Sequence, residues 1–167
     1  MFMDAQAIID KFGMRPLPEE GGWYVETYRA AEMIARAGLD VRYGGDRCHG
    51  TAILYLLTAD TVSKMHRVKS DEIFHYHLGD AVRMLQLHPG GSGEEVVIGP
   101  DIMNGQQVQV VVPRGVWQGG RLVDGGSWCL MSCTVAPGFE FDDYEHGHRD
   151  ALIERWGEFA GEVEKLT

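Results

Sequence analysis

The sequence predicts an all-β domain, a sandwich or barrel with a short helix at each end of the chain. Two observations carry this. Most of the chain is a series of short strand-like runs divided by glycine-rich turns, and helical spacing of apolar residues is confined to the two ends. With 167 residues and 44% apolar content, residues 1–167 are read as one domain able to bury a core of its own.

Asp4 is placed to cap a helix over Ala5 to Phe12, and Gly13 to end it. The breaker segment Pro16 to Gly22 follows, and then an aromatic-rich alternating strand, Trp23 to Arg29. Residues 30–50 mix charge with Gly38, Gly44 and Gly45 and read as a long connection. Thr51 to Leu57 is almost continuously apolar, the pattern of a strand covered on both faces. Further strands are expected over Ser63 to Val68, Glu72 to His77, Ala81 to Leu87, Glu95 to Ile98, Gln107 to Val112, Val116 to Leu122 and Trp128 to Val135. The tail, His148 to Leu166, returns to helical spacing, with Leu152, Trp156, Phe159 and Val163 as its apolar stripe.

Composition excludes several function classes. The net charge of −10, from 25 acidic and 15 basic side chains, argues against a nucleic-acid partner. No apolar run of about 18 residues exists, so no membrane-spanning helix is expected. The start lacks a basic segment followed by an apolar one, so no secretory leader is expected. The three cysteines, Cys48, Cys129 and Cys133, then read as reduced thiols of a cytoplasmic protein. Cys129 and Cys133 fall on one face of a strand, roughly 13 Å apart, too far for a disulfide.

The densest polar stretch runs from Ser63 to Gly79. As a strand, a turn and a returning strand, it would set His66 beside Glu72. Alternation would put Lys64, His66 and Val68 on one face of the first strand, and Glu72, Phe74 and Tyr76 on one face of the second. If both faces point inward, an imidazole, a carboxylate and a phenol converge. If both point outward, the segment is an exposed hairpin with scattered charges.

These residues also carry a family resemblance. His66, Glu72 and Gly79 resemble the first motif of the cupins, and Pro113-Arg114-Gly115 resembles the core of the second. The stretches Glu20 to Arg29, Thr51 to Leu57, Ser70 to Gly79, Gly105 to Pro113 and Cys133 to Asp142 are together similar to the fifth cupin family, a domain of unknown function. The resemblance spans about Met14 to about Leu152. It implies a jelly-roll barrel, a homodimer, and a pocket in the barrel mouth. The family's recurrent polar positions add Tyr24, Glu26, Arg29, Gln109, Trp117 and Glu140 as ligand-binding candidates. The metal-binding pattern of cupins is not matched: its second histidine position is Val68, and its second-motif histidine position is Gln118. A metal, if one bound, would have to use His66, Glu72 and Gln118, a weak set for a transition ion. No cofactor is expected.

The functional expectation is binding of a small polar metabolite, such as a sugar or nucleotide sugar. Its catalytic form is an epimerase-like acid–base conversion with His66 as base, Glu72 as its partner, and Tyr76 or Tyr24 as acid. The alternatives are a non-catalytic dimer and a metal-dependent enzyme. The Trp23–Tyr28 strand is the expected dimer contact, because a barrel edge leaves backbone groups unpaired.

Overall fold

The computed structural model describes residues 4–167, so the leader reading of residues 1–3 lies outside it. Helix α1 (Ala5–Phe12) has the expected ends: the Asp4 carboxylate accepts the Ala7 amide at 2.8 Å, and Gly13 turns the chain at φ 62°. Its buried Ile8 and Ile9 pack with Leu56 and Leu130 on the outer face of a sheet.

The strands are β1 (Arg15–Pro16), β2 (Trp23–Arg29), β3 (Met33–Ile34), β4 (Arg47–Cys48), β5 (Thr51–Thr58), β6 (Ser63–Arg67) and β7 (Asp71–Gly79). Then come β8 (Val82–Leu87), β9 (Gly93–Ile98), β10 (Gln109–Val112), β11 (Trp117–Leu122), β12 (Trp128–Ala136) and β13 (Glu145–His146). Among the described residues they form two antiparallel sheets facing each other, in the orders β1-β2-β5-β12-β7-β10 and β13-β6-β11-β8-β9, plus a β3-β4 ladder. The chain changes sheet between β5 and β6, β6 and β7, β7 and β8, β9 and β10, β10 and β11, β11 and β12, and again between β12 and β13. This is a jelly-roll sandwich.

Between the sheets lie Tyr55, Leu57, Phe74, Met84, Val110 and Met131. Alternation explains the apolar run in β5: Tyr55 and Leu57 face this core, while Leu56 faces α1. The outer face of the smaller sheet is covered by the tail, where Leu152, Trp156 and Val163 pack on Met65, Leu85 and Leu87. The tail is not one helix. It divides into α2 (Arg149–Arg155), a 3-10 turn (Gly157–Phe159) and α3 (Ala160–Lys165), because Trp156 leaves the helical region at φ −126°, ψ 53° as its ring turns into the core. Residues 30–50 contain the β3-β4 ladder rather than a plain connection.

Two sequence expectations are corrected. Strands β6 and β7 do not form a hairpin: β6 pairs with β11 and β13, and β7 with β10 and β12. His66 and Glu72 therefore meet across the sandwich, from opposite sheets. Strand β2 is not a bare edge either, because β1 pairs with Trp23 and Tyr24. Only its second half, from Val25 to Arg29, has β5 as its sole ladder partner among the described residues, and Tyr28 there is 58% exposed.

Candidate functional site

A cavity of about 490 Å³ opens between the two sheets. Its lining comes from β2 (Tyr24, Glu26, Arg29), β6 (His66), β7 (Glu72) and β12 (Cys133), from the turn before β2 (Glu19, Glu20), and from a strap over residues 139–144.

His66 is its most enclosed polar group, at 2% exposure. Nδ1 lies 2.7 Å from the Lys64 carbonyl. A carbonyl only accepts, so Nδ1 carries the hydrogen and Nε2 of the neutral ring keeps a lone pair. The Tyr144 ring stacks on the imidazole at 5.2 Å between centroids and 19° between planes. Nε2 lies 3.7 Å from Glu20 Oε2, beyond direct hydrogen bonding. Glu20 is held by the Ser63 hydroxyl, which donates to Oε1 at 2.9 Å, and by its own carbonyl, which accepts the Lys64 amide at 2.8 Å. Gly21 and Gly22, at φ 98° and 72°, turn the chain so that Glu20 faces inward.

Glu72 approaches from the other sheet. Gln118, the register partner of His66 on β11, donates from Nε2 to Glu72 Oε2 at 2.6 Å. The Cys133 thiol lies beside the same carboxylate. Burial pushes the Glu72 carboxyl up to about 7, helped by the Glu20 carboxylate; His66 and the Gln118 amide pull the other way. The same burial raises the Cys133 thiol well above its ordinary value, so it is no nucleophile. The buried Oε1 of Gln118 has no hydrogen-bond partner among the described residues.

At the rim, Arg29 is committed. It binds both Glu26 oxygens, at 3.1 and 2.9 Å, and Glu140 Oε1 at 2.6 Å. The strap carrying Phe139, Glu140, Phe141 and Tyr144 is moored from below by Arg47 and Asp143. These two form a two-pronged ion pair at 2.8 and 2.6 Å, with side chains 4% and 2% exposed.

Sequence reasoning named His66, Glu72, Tyr24, Glu26, Arg29 and Glu140, and all six line this cavity. Three others do not. The Tyr76 hydroxyl donates to the Gly79 carbonyl at 2.6 Å, at the far end of β7, so it is removed as the acid. Gln109 lies on the edge strand β10 and contacts His75 Nδ1 at 3.2 Å on the outer face. Trp117 packs with the tail cluster, under the Arg67 guanidinium at 4.5 Å. Both face away because their strands alternate: Val110 and Gln118 take the inward positions next to them. Glu20 and Tyr144 were missed. The Gly21-Gly22 pair was the available signal for Glu20; Tyr144 is placed by a long-range ion pair that leaves no local pattern.

The residues present do not fit a cupin metal. Val68 offers no donor atom, and Gln118 aims an N–H, not an oxygen, at Glu72. Among the described residues no group of three or more His, Cys, Asp or Glu is arranged to hold an ion. His75 and His77 are spent on the outer face, against Thr134 at 3.3 Å and Ser132 at 2.9 Å.

A two-sheet jelly roll with a polar pocket between its sheets is the architecture of the cupins. The chain belongs to the cupin superfamily family of unknown function DUF985, whose model matches residues 6–147. It is 31% identical over 134 residues to the uncharacterized protein YML079W of Saccharomyces cerevisiae, covering 75% of this chain. The chain spans 66% of that relative, just under two thirds of its length. Among solved structures it is similar to protein SO0799 from Shewanella oneidensis, with 28% identity, TM-score 0.86, and coverage of 99% of this chain and 98% of that one. A hypothetical protein from Leishmania major is similar too, with 27% identity, TM-score 0.88 and 99% coverage of both chains. Oxalate decarboxylase from Bacillus subtilis shares the fold alone, at 12% identity and TM-score 0.53 over 93% of this chain and 38% of that one.

Proposed function

We propose that the chain binds a small polar metabolite, of the sugar or nucleotide-sugar kind, in the cavity between the sheets, and interconverts it by acid–base chemistry at His66. The observation that carries this is the state of His66: a 2% exposed imidazole, anchored through Nδ1, with Nε2 free toward the cavity. Nε2 makes no hydrogen bond to a described residue, and a ligand hydrogen would give it a partner. His66 is then the base. Glu72, raised toward neutrality by burial, holds a proton it can share. Tyr24, buried on the opposite sheet and lining the same cavity, takes the acid role first given to Tyr76 or Tyr24.

The test is a metabolite screen by thermal shift, followed by binding and turnover measurements on wild type and His66→Ala. Loss of binding in a folded variant supports the reading. Unchanged affinity makes His66 structural and sinks it. Binding without turnover of any hit leaves the pocket and removes the enzyme.

A further inference from the structure

The inner end of the cavity is short of hydrogen-bond donors. In the neutral ring His66 Nε2 presents a lone pair, and it makes no hydrogen bond to any described residue; its nearest acidic neighbour is Glu20 Oε2 at 3.7 Å. The Ser63 hydroxyl satisfies Glu20 Oε1, which leaves Oε2. Gln118 donates to Glu72 Oε2 and the Cys133 thiol lies beside the same group, so Glu72 Oε1 is the oxygen left to accept once the carboxyl gives up its proton opposite a cation. Three acceptors, one from each sheet and one from the turn before β2, thus line one space.

The charges around them point the same way. Glutamates 19, 20, 26, 72 and 140 line the cavity against Arg15 and Arg29. Arg29 is already held by Glu26 and Glu140, and Arg15 lies over the Tyr24 ring at 5.0 Å. A carboxylate or phosphate brought to His66 would meet lone pairs and negative charge where water is partly excluded, and like-charge repulsion disfavours it. A primary ammonium offers three N–H donors on one tetrahedral atom, one for each acceptor. Tyr24, Phe139, Phe141 and Tyr144 also line the cavity, and aromatic side chains suit both a cation and the C–H edges of a sugar-like skeleton.

We propose that the inner end of the pocket binds the ammonium group of an amine-bearing polar metabolite, an amino sugar or amino polyol by class, held between Glu20, Glu72 and Nε2 of His66. This rests on the reading of the cavity as a ligand pocket.

The experiment follows the His66 ring resonances by NMR, assigned with His66→Ala, during titration with matched probes. Glucosamine and ethanolamine carry the ammonium, glucose and ethylene glycol the hydroxyl, and glucuronate the carboxylate. The amines are expected to bind at least about tenfold more tightly than their hydroxyl counterparts, and glucuronate not to bind. Glu20→Gln and Glu72→Gln, both near-isosteric, should erase the preference. Equal binding of amine and hydroxyl probes, or tighter binding of glucuronate, with dependence on His66 intact, overturns the ammonium assignment and leaves the pocket standing. If no probe moves the His66 resonances, or if His66→Ala binds the amines as wild type does, the pocket reading falls and the assignment with it.

Discussion

Replacing Glu72 by Gln should stabilise the protein at alkaline pH and do nothing at acid pH. The Glu72 carboxyl rises from its ordinary 4.5 to about 7, chiefly through burial. The folded protein therefore holds this proton more tightly than the unfolded chain does. By linkage, the stability this confers is fully present below about 4.5 and is lost as the pH rises through about 7. At about 1.4 kcal/mol per tenfold in proton affinity, the loss amounts to about 3 kcal/mol by pH 8, as an upper value. Gln keeps the shape, can still accept the Gln118 N–H now 2.6 Å from Oε2, and never ionises. Urea denaturation of wild type and Glu72→Gln across pH 4–9 reads the difference directly. The two should coincide near pH 4 and separate by up to about 3 kcal/mol at pH 8, roughly 6–12 °C in Tm. Parallel curves over the whole range would mean that Glu72 is ionised without penalty, and that the enclosed His66–Glu72–Glu20 cluster is misread.

The mooring of the strap gives a second outcome: Asp143→Ala strands a buried Arg47 and should cost about 3–5 kcal/mol in urea denaturation, with Arg47→Met plus Asp143→Leu recovering most of it; a single-variant loss under about 1 kcal/mol would contradict this. Gly79 sits at φ 98°, where a Cβ would strike the Trp128 carbonyl, so Gly79→Ala should lower Tm by several degrees, and an unchanged Tm would refute the strained turn. A homodimer paired along the free half of β2 around Tyr28 is our proposal for the assembly; light scattering should return twice the chain mass at micromolar concentration, and a monomer mass would sink it.

Much of the fold was legible because local physics decided it. Asp4 and Gly13 bracket α1 as capping rules require. In β12, Cys129 and Cys133 face the core while Ser132 and Thr134 face out to His77 and His75, as period two demands. The partnership of β6 and β7 was not legible. A three-residue link can turn a hairpin or carry the chain to the opposite sheet, and only the pairing of β6 with β11 and β13 decides between them. His66 and Glu72 still line one cavity, because inward alternation holds in both geometries. Tyr76 failed because alternation fixes a face and not a depth, and its hydroxyl closes on Gly79 beyond the cavity. Tyr144 was invisible because its place depends on Arg47 reaching Asp143, 96 residues away in sequence.

The most direct measurement is electron density at the inner end of the cavity, in crystals soaked with the tightest compound from the metabolite screen. A polar ligand atom within hydrogen-bonding distance of His66 Nε2, flanked by Glu20 and Glu72, is the expected result. A ligand seated elsewhere, with only ordered water against Nε2, would contradict the site.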